Sequence, residues 1–139
     1  MVSLEGDDVL NLKRLKSNRG QAIVELAILL PVLLLILMAI LEFGRVFNAY
    51  MIITHASREG ARAGSVGGSD IEIAEAIGDT TPTLDPTNMR ITVSTPSGRD
   101  RGDPLTVTVE YDVDLIVPLI GNVVGDPVEL DAATTIRIE

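Results

Sequence analysis

The sequence contains no cysteine and no tryptophan, and only two tyrosines and two phenylalanines among its 139 residues. Without cysteine, the chain forms neither a disulfide framework nor a thiolate metal site. Because aromatic side chains are so scarce, a core outside a membrane must be built from Ile, Val, Leu and Ala. A chain of this length has room for one helix of membrane length and one small folded domain, but not for two domains.

Positive charge is also scarce, and it is unevenly placed. The chain carries 11 basic and 20 acidic residues, a formal net charge of −9. Both of its lysines lie in the first 19 residues, together with two arginines: Lys13, Arg14, Lys16 and Arg19. The rest of the chain is strongly acidic, which argues against binding to nucleic acid or to anionic lipid surfaces.

The dominant feature of the sequence is one long apolar run. Residues 21–41 read QAIVELAILLPVLLLILMAIL and contain a single ionisable side chain, Glu25. A helix of that length spans roughly 30 Å, about the thickness of the hydrocarbon core of a bilayer. Basic residues beside a membrane helix stay cytoplasmic, so the amino terminus is predicted inside and residues after about 45 outside. The run lacks a small-residue cleavage site at its end, and we expect no signal-peptide cleavage there.

The helical pattern continues beyond the apolar run as a stripe of small and apolar residues at three- and four-residue steps. The stripe consists of Val46, Ala49, Ile53, Ala56, Gly60 and Ala63. Small residues permit close approach to a neighbouring element. Gly64 and then Gly67-Gly68 end the pattern, which predicts one helix of about 40 residues, partly in lipid and partly outside.

The remaining chain predicts a short helix and three strands. Ser69 to Glu72 has a capping-box pattern that opens a helix running to about Ile77, where Gly78 stops it. Apolar and polar residues alternate over 89–94, 105–114 and 128–139, as in strands with one buried face. The predicted fold is α+β: a long N-terminal transmembrane helix, extended outside the membrane and packed against a small antiparallel β-sheet. The expected regions are a cytoplasmic leader (1–20), a transmembrane and stem helix (21–64) and an extracytoplasmic α+β domain (65–139).

Glu25 is the strongest candidate for a functional side chain. A carboxylate inside a membrane helix costs about 2.5–3.5 kcal/mol on insertion scales, so it normally has a partner or a use. A structural explanation is equally open, because Glu25 lies near the start of the helix, where the helix dipole stabilises a negative charge. Pro31 removes a backbone donor within the same run, and it either kinks the helix or is simply tolerated.

Several motifs occur along the chain in the same order as in a known family. Arg19-Gly20, followed by Gln21 to Glu25 and the apolar run, resembles a prepilin processing site. The motifs 42–45 (EFGR) and 56–62 (ASREGAR) resemble the TadE-like family, the minor pilins or pseudopilins of the tight-adherence (Flp-type) pilus system. Leu26 stands where the major pilins of that system usually carry an aromatic residue, which favours a minor pilin.

The resemblance implies a type IV pilin-like fold and a prepilin peptidase that cuts after Gly20. The new α-amino group of Gln21 would then pair with Glu25 of a neighbouring subunit, making both groups tolerable in lipid and favouring one packing register. The implied partners are the lipid bilayer, the prepilin peptidase and other pilin or pseudopilin subunits. The implied location is the bacterial cytoplasmic membrane, with a single pass. We expect no cofactor, no metal, no nucleic acid and no small-molecule substrate.

Two other function classes compete with an assembly component. One is an uncleaved, single-pass membrane-anchored binding module. The other is an enzyme, which we disfavour because no convergent acid/base, metal or nucleophile set is apparent. Among weaker candidates, His55 has no second ligand nearby in sequence. Glu110, Asp112 and Asp114 share a strand face that could hold calcium with the 100–103 loop, although a solvated face is favoured. The apolar connection 115–120 either covers the end of the sheet, which we favour slightly, or contacts a partner or the membrane.

Overall fold

A computed structural model of the protein describes residues 5–117, 120–122 and 125–139, with side chains from residue 20 onward. The chain divides into two compact units, Met1–Ile40 and Leu41–Glu139. Its elements, in order, are α1 (Glu5–Ser65), α2 (Asp70–Thr80), a 3-10 turn (Pro86–Asn88), β1 (Met89–Ser94), β2 (Pro104–Val113) and β3 (Val128–Arg137).

Helix α1 is longer than the sequence pattern predicts. It comprises 61 residues and begins at Glu5, whereas the predicted helix has about 40 residues and begins near Gln21. The prediction rested on apolar periodicity, which residues 5–19 lack. No proline interrupts that segment, however, and its leucines, lysines and arginines are good helix formers. Helix therefore extends through residues 17–20 into the apolar run without a break.

The end of α1 lies where the glycines predict it. The N–H of Gly68 donates to the carbonyl of Ala63 at 3.2 Å, and the N–H of Gly67 donates to the carbonyl of Gly64 at 3.1 Å. Gly67 has φ of 88°, a left-handed conformation that glycine adopts without steric cost. These features define a Schellman motif, which satisfies carbonyl groups that the last turn leaves without partners.

The predicted capping box opens α2. The N–H of Glu72 donates to the Ser69 hydroxyl at 3.3 Å, and the N–H of Ser69 donates to the Glu72 carboxylate at 2.7 Å. Hydrogen bonds from the backbone and hydroxyl of Ser69 lower the pKa of Glu72. The helix continues through Gly78 to Thr80, beyond its predicted end. Its last turn is closed by Thr81, whose hydroxyl donates to the carbonyl of Ile77 at 3.0 Å.

The three predicted strands form one antiparallel sheet in the order β1-β2-β3. β1 matches its predicted range, and the other two strands begin or end within two residues of theirs. In the register, Val109 of β2 pairs with Ile91 of β1 and with Ala132 of β3. Because these residues share one face, the alternation in sequence becomes one apolar surface and one polar surface, as predicted.

The apolar face of the sheet packs against α2 and the outer part of α1. The fully buried residues of this core are Ile53, Ala56, Ala61, Ile73, Ile77, Leu105, Val107 and Val109. A β-carbon added to Gly60 would lie 2.8 Å from Ile77 Cδ1, and one added to Gly64 would lie 2.9 Å from Leu105 Cδ2. The small residues of α1 therefore set how closely α2 and β2 approach it. The predicted α+β fold is confirmed.

Candidate functional site

The predicted processing and registration residues lie together on α1, within the unit Met1–Ile40. Gly20, Gln21 and Glu25 are all exposed, and a β-carbon added to Gly20 would have no neighbour within 4 Å. The side-chain amide of Gln21 donates to Glu25 Oε1 at 3.0 Å. This bond joins side chains one helical turn apart, the spacing at which helix neighbours meet.

The Glu25 carboxylate keeps most of its hydrogen-bonding capacity open. An ionised carboxylate offers about four acceptor sites, and the Gln21 amide is a neutral donor to one of its oxygens. One neutral hydrogen bond offsets only part of the cost of a charge in lipid. A second donor, above all a cationic one such as an amine, would offset more.

The apolar run forms an uninterrupted exposed surface. Its large side chains are all well exposed, from Leu35 at 39% to Ile23 at 68%. Within the part of the chain that the structure describes, one helix is long and apolar enough to span a membrane, Gly20–Ser65. None of its most apolar window is buried, so the window is not the core of a soluble domain. This surface fits single-pass anchoring. Pro31 lies inside α1, with helix on both sides of it.

Glu42 is a residue whose importance the sequence reading missed. It follows the apolar run directly, yet it is only 4% exposed. Its carboxylate pairs with Arg45 at 2.8 Å and accepts a hydrogen bond from the backbone N–H of Ile116. Arg45 in turn donates to the carbonyl of Asp114 at 3.4 Å. Sequence reasoning used this motif only for a family resemblance. The ion pair could have been predicted, because side chains three residues apart on one helix are neighbours and Glu42 and Arg45 carry opposite charges.

The second motif, 56–62, is divided between core and surface. Ala56 and Gly60 are buried, and the Ser57 hydroxyl lies 2.9 Å from the Thr134 hydroxyl of β3. Arg58 and Arg62 are exposed, the latter bonded to Glu59 on its own helix at 3.1 Å. The small residues of the motif therefore hold the sheet. The charged ones remain available to other molecules.

The polar face of the sheet carries like charges in direct opposition. Glu110 pairs with Asp131, and Asp112 with Glu129, across β2 and β3. Arg90 of β1 donates to Glu110 at 2.7 Å, and that carboxylate raises the pKa of Arg90. Opposed like charges destabilise a sheet. The pairs thus make this face an acidic surface at some cost in stability.

In the structure, the acidic face of β2 and the 100–103 loop, which together could have formed a calcium site, lie far apart. Asp103 and Asp112 lie near opposite ends of β2, which places them roughly 30 Å apart at the rise of an extended strand. The 100–103 loop therefore cannot share a cation with the strand face. Among the described residues, no group of three His, Asp or Glu side chains is arranged to hold a metal ion. His55 is exposed on α1.

The connection after β2 departs in part from the prediction that it is buried. Ile116 is 69% exposed, whereas Leu115 and Val117 are half-buried. Residues 118–119 of the predicted apolar connection lie outside the described residues. The connection is therefore attached to α1 through the backbone of Ile116, while the side chain of that residue faces away from the core.

Comparison with known protein families gives a match to part of the chain. Residues 20–62 match the family model described as "TadE-like protein". The match confirms the resemblance and covers the candidate processing site, the apolar run and both motifs. The end of α1, α2 and the sheet lie outside it. No curated protein and no solved structure matches the chain.

Proposed function

We propose that this chain, TadE-like over residues 20–62, is a minor pilin or pseudopilin that acts in assembly of a tight-adherence pilus. The family supports the broader assignment to a protein associated with that pilus. The observation that carries the finer proposal is the arrangement within the matched segment. Gly20 and Gln21 precede Glu25 by about one helical turn, and a helix segment with exposed apolar side chains follows.

The first step of the proposal is a cut after Gly20 by a prepilin peptidase. The exposed Gly20 has no side chain to obstruct an approaching enzyme. Glycine is also a poor helix former, so the helix opens there at lower cost than at its neighbours. The cut converts Gln21 into the first residue and creates an α-amino group one turn from Glu25.

The second step is registration between subunits. The α-amino group of Gln21 on one subunit pairs with the Glu25 carboxylate of the next, while the exposed apolar surfaces exchange lipid for protein contacts. Neither charge is tolerated alone in lipid, so packing is favoured in the register that brings them together. Pro31 supplies a flexible point along the same helix.

The proposed organisation is a cytoplasmic leader over 1–20, a transmembrane and stem helix over 21–64, and an extracytoplasmic domain over 65–139. The protein is anchored once in the bacterial cytoplasmic membrane, with its amino terminus inside. Its proposed partners are the bilayer, the prepilin peptidase and other pilin or pseudopilin subunits. We assign it no catalytic step.

An uncleaved membrane-anchored binding module is the second candidate. The hydrogen bond from Gln21 to Glu25 favours it, because it gives the carboxylate a partner within its own chain. In that case the domain from residue 65 onward would carry the recognition surface, and Glu25 would need no neighbouring subunit.

Substitution of Glu25 tests the proposal in cells that assemble the pilus. Glu25→Gln keeps the size and helical preference of the side chain but removes its charge. We expect pilus yield and co-purification of partner pilins to fall by at least about tenfold, because breaking a buried pair costs several kcal/mol. Glu59→Gln, on the exposed part of the same helix, is the matched control and should leave both unchanged. Unchanged assembly in Glu25→Gln, with equal membrane levels of both variants, would favour the anchored module.

A further inference from the structure

The exposed side chain of Ile116 has an unusual position in the domain. It is 69% exposed, although it belongs to an apolar segment that directly follows β2. Its backbone N–H is bonded to the carboxylate of Glu42, and Arg45 bonds the carbonyl of Asp114 two residues earlier. These bonds hold the segment against α1 beside the residue at which the apolar run ends.

The level of Ile116 relative to a bilayer follows from this attachment. Glu42 is the first residue after the apolar run of 21–41, so it marks the boundary of the hydrocarbon core. A group whose backbone is one hydrogen bond from the Glu42 carboxylate lies within a few ångströms of that boundary. The headgroup layer on each side of a bilayer is roughly 5–8 Å thick. Ile116 is therefore held at the depth of that layer.

Both phenylalanines of the chain lie at a similar depth. Phe43 is 71% exposed and Phe47 is 54% exposed, and their ring centroids are 6.4 Å apart. At 1.5 Å per residue, Phe43 follows Leu41 by roughly 3 Å, within the headgroup layer, and Phe47 follows it by roughly 9 Å, at the outer edge of that layer. Phe and Leu are typical of the lipid-facing side of segments that lie in a membrane interface.

We infer that Phe43, Phe47 and Ile116 form a lipid-contacting collar, through which the folded domain itself rests in the headgroup layer of the bilayer. The occupant is lipid rather than a second protein, because these side chains continue the membrane run and the layer surrounds the helix on every side. Pairing with Arg45 keeps the buried Glu42 carboxylate, to which Ile116 is attached, from being an unpaired charge at that depth. The inference requires membrane anchoring of α1, but it does not require cleavage after Gly20 or entry into a pilus.

The composition of the chain permits a direct test. Because the protein has no tryptophan, each single-tryptophan variant reports on one position. The full-length variants Ile116→Trp, Ala133→Trp and Leu34→Trp are reconstituted in phosphatidylcholine vesicles with or without brominated acyl chains. Ala133 is exposed on β3, and Leu34 lies within the apolar run. We expect Leu34→Trp to emit at short wavelength and to be strongly quenched by bromine, and Ile116→Trp to show intermediate emission and partial quenching. Ala133→Trp should emit as in water and escape quenching.

The other outcomes contradict the collar in distinguishable ways. Unquenched, water-like emission from Ile116→Trp beside a quenched Leu34→Trp would place the segment in solvent. Short-wavelength emission without quenching, lost on dilution of protein in lipid, would place Ile116 against a second copy. An unquenched Leu34→Trp would remove the anchoring on which the inference rests. If Ile116→Trp does not fold, Ile116→Cys with a spin label gives the same measurement, because the chain has no other cysteine.

Discussion

Two carboxylates, Glu25 within the apolar run and Glu42 directly after it, have opposite surroundings. Glu42 is almost fully buried and is bonded by Arg45 and by the backbone of Ile116. Glu25 is exposed and is bonded by the neutral amide of Gln21. A buried carboxylate with its own cation is explained by the fold of a single chain. For the exposed Glu25, whose observed donor is a neutral amide, we propose a further partner outside the chain.

Substitution of Glu42 should uncouple the segment after β2 from α1. Glu42→Ala leaves Arg45 and the N–H of Ile116 without their shared acceptor. Since hydrogen bonds to charged groups contribute about 1.5–3 kcal/mol, we expect the free energy of unfolding to fall by a similar amount. The measurement is denaturant unfolding of the full-length protein in detergent, with hydrogen exchange at Ile116 as a local readout.

The matched control is Glu59→Ala. Glu59 also pairs with an arginine three residues later on α1, but the Glu59 side chain is 33% exposed, against 5% for Glu42. Exposed pairs contribute only about 0–1 kcal/mol, so this variant should change stability little and leave exchange at Ile116 unaltered. Equal losses in the two variants would show that burial of Glu42 has no energetic consequence.

At the scale of elements, α1 holds the domain together through its small residues. The side chains of α2 and β2 occupy the space that larger residues on α1 would fill. Ile77 lies against Gly60, while Leu105 and Ile73 lie against Gly64. Since side chains at these positions would force the layers apart, the stripe fixes the spacing between helix and sheet.

A larger side chain within the small-residue stripe should lower the stability of the protein, whereas the same substitution elsewhere on α1 should not. Gly60→Val introduces carbons less than 3 Å from Ile77, and we expect a loss of about 1–3 kcal/mol from overpacking. Gly44→Val is the control, because a β-carbon there meets nothing within 4 Å. Thermal unfolding of both full-length variants in detergent checks the difference. A Gly60→Val protein as stable as Gly44→Val would mean that the layers do not need this close approach.

The elements themselves were largely predictable, because each depends on neighbours in sequence. Alternation identified the three strands, and the Ser69 capping box and the Gly67 turn identified helix ends. The start of α1 was not predictable in this way, since helix propensity without periodicity is a weak signal. The last turn of α2 was missed for a related reason, because Gly78 alone does not stop a helix whose final carbonyls have other donors.

The candidate site was predictable only in its local part. Gly20, Gln21 and Glu25 were found because the motif is contiguous. The bond between Glu42 and Ile116 joins residues 74 positions apart, so no local pattern reveals it. The opposition of Glu110 to Asp131 likewise depends on strand register. Long-range pairing of this kind is decided by packing of the whole domain, which sequence spacing does not report.

At the scale of the molecule, the chain joins a segment suited to lipid to a folded domain suited to water. The boundary between its two compact units falls after Ile40, at the end of the apolar run. The TadE-like match begins at residue 20 and extends past that boundary to residue 62. The matched segment thus includes both the exposed apolar surface and most of the stripe that packs against the domain. The central claim is that this joined segment is an assembly stem released by cleavage after Gly20.

Intact mass spectrometry of the protein extracted from membranes tests that claim most directly. Cells that contain a prepilin peptidase should yield a chain that begins at Gln21, and cells without it should yield the full chain. Gly20→Leu should block the conversion, because it places a bulky side chain at the cut. A chain that retains residues 1–20 in peptidase-containing cells would contradict the account and favour the uncleaved anchor.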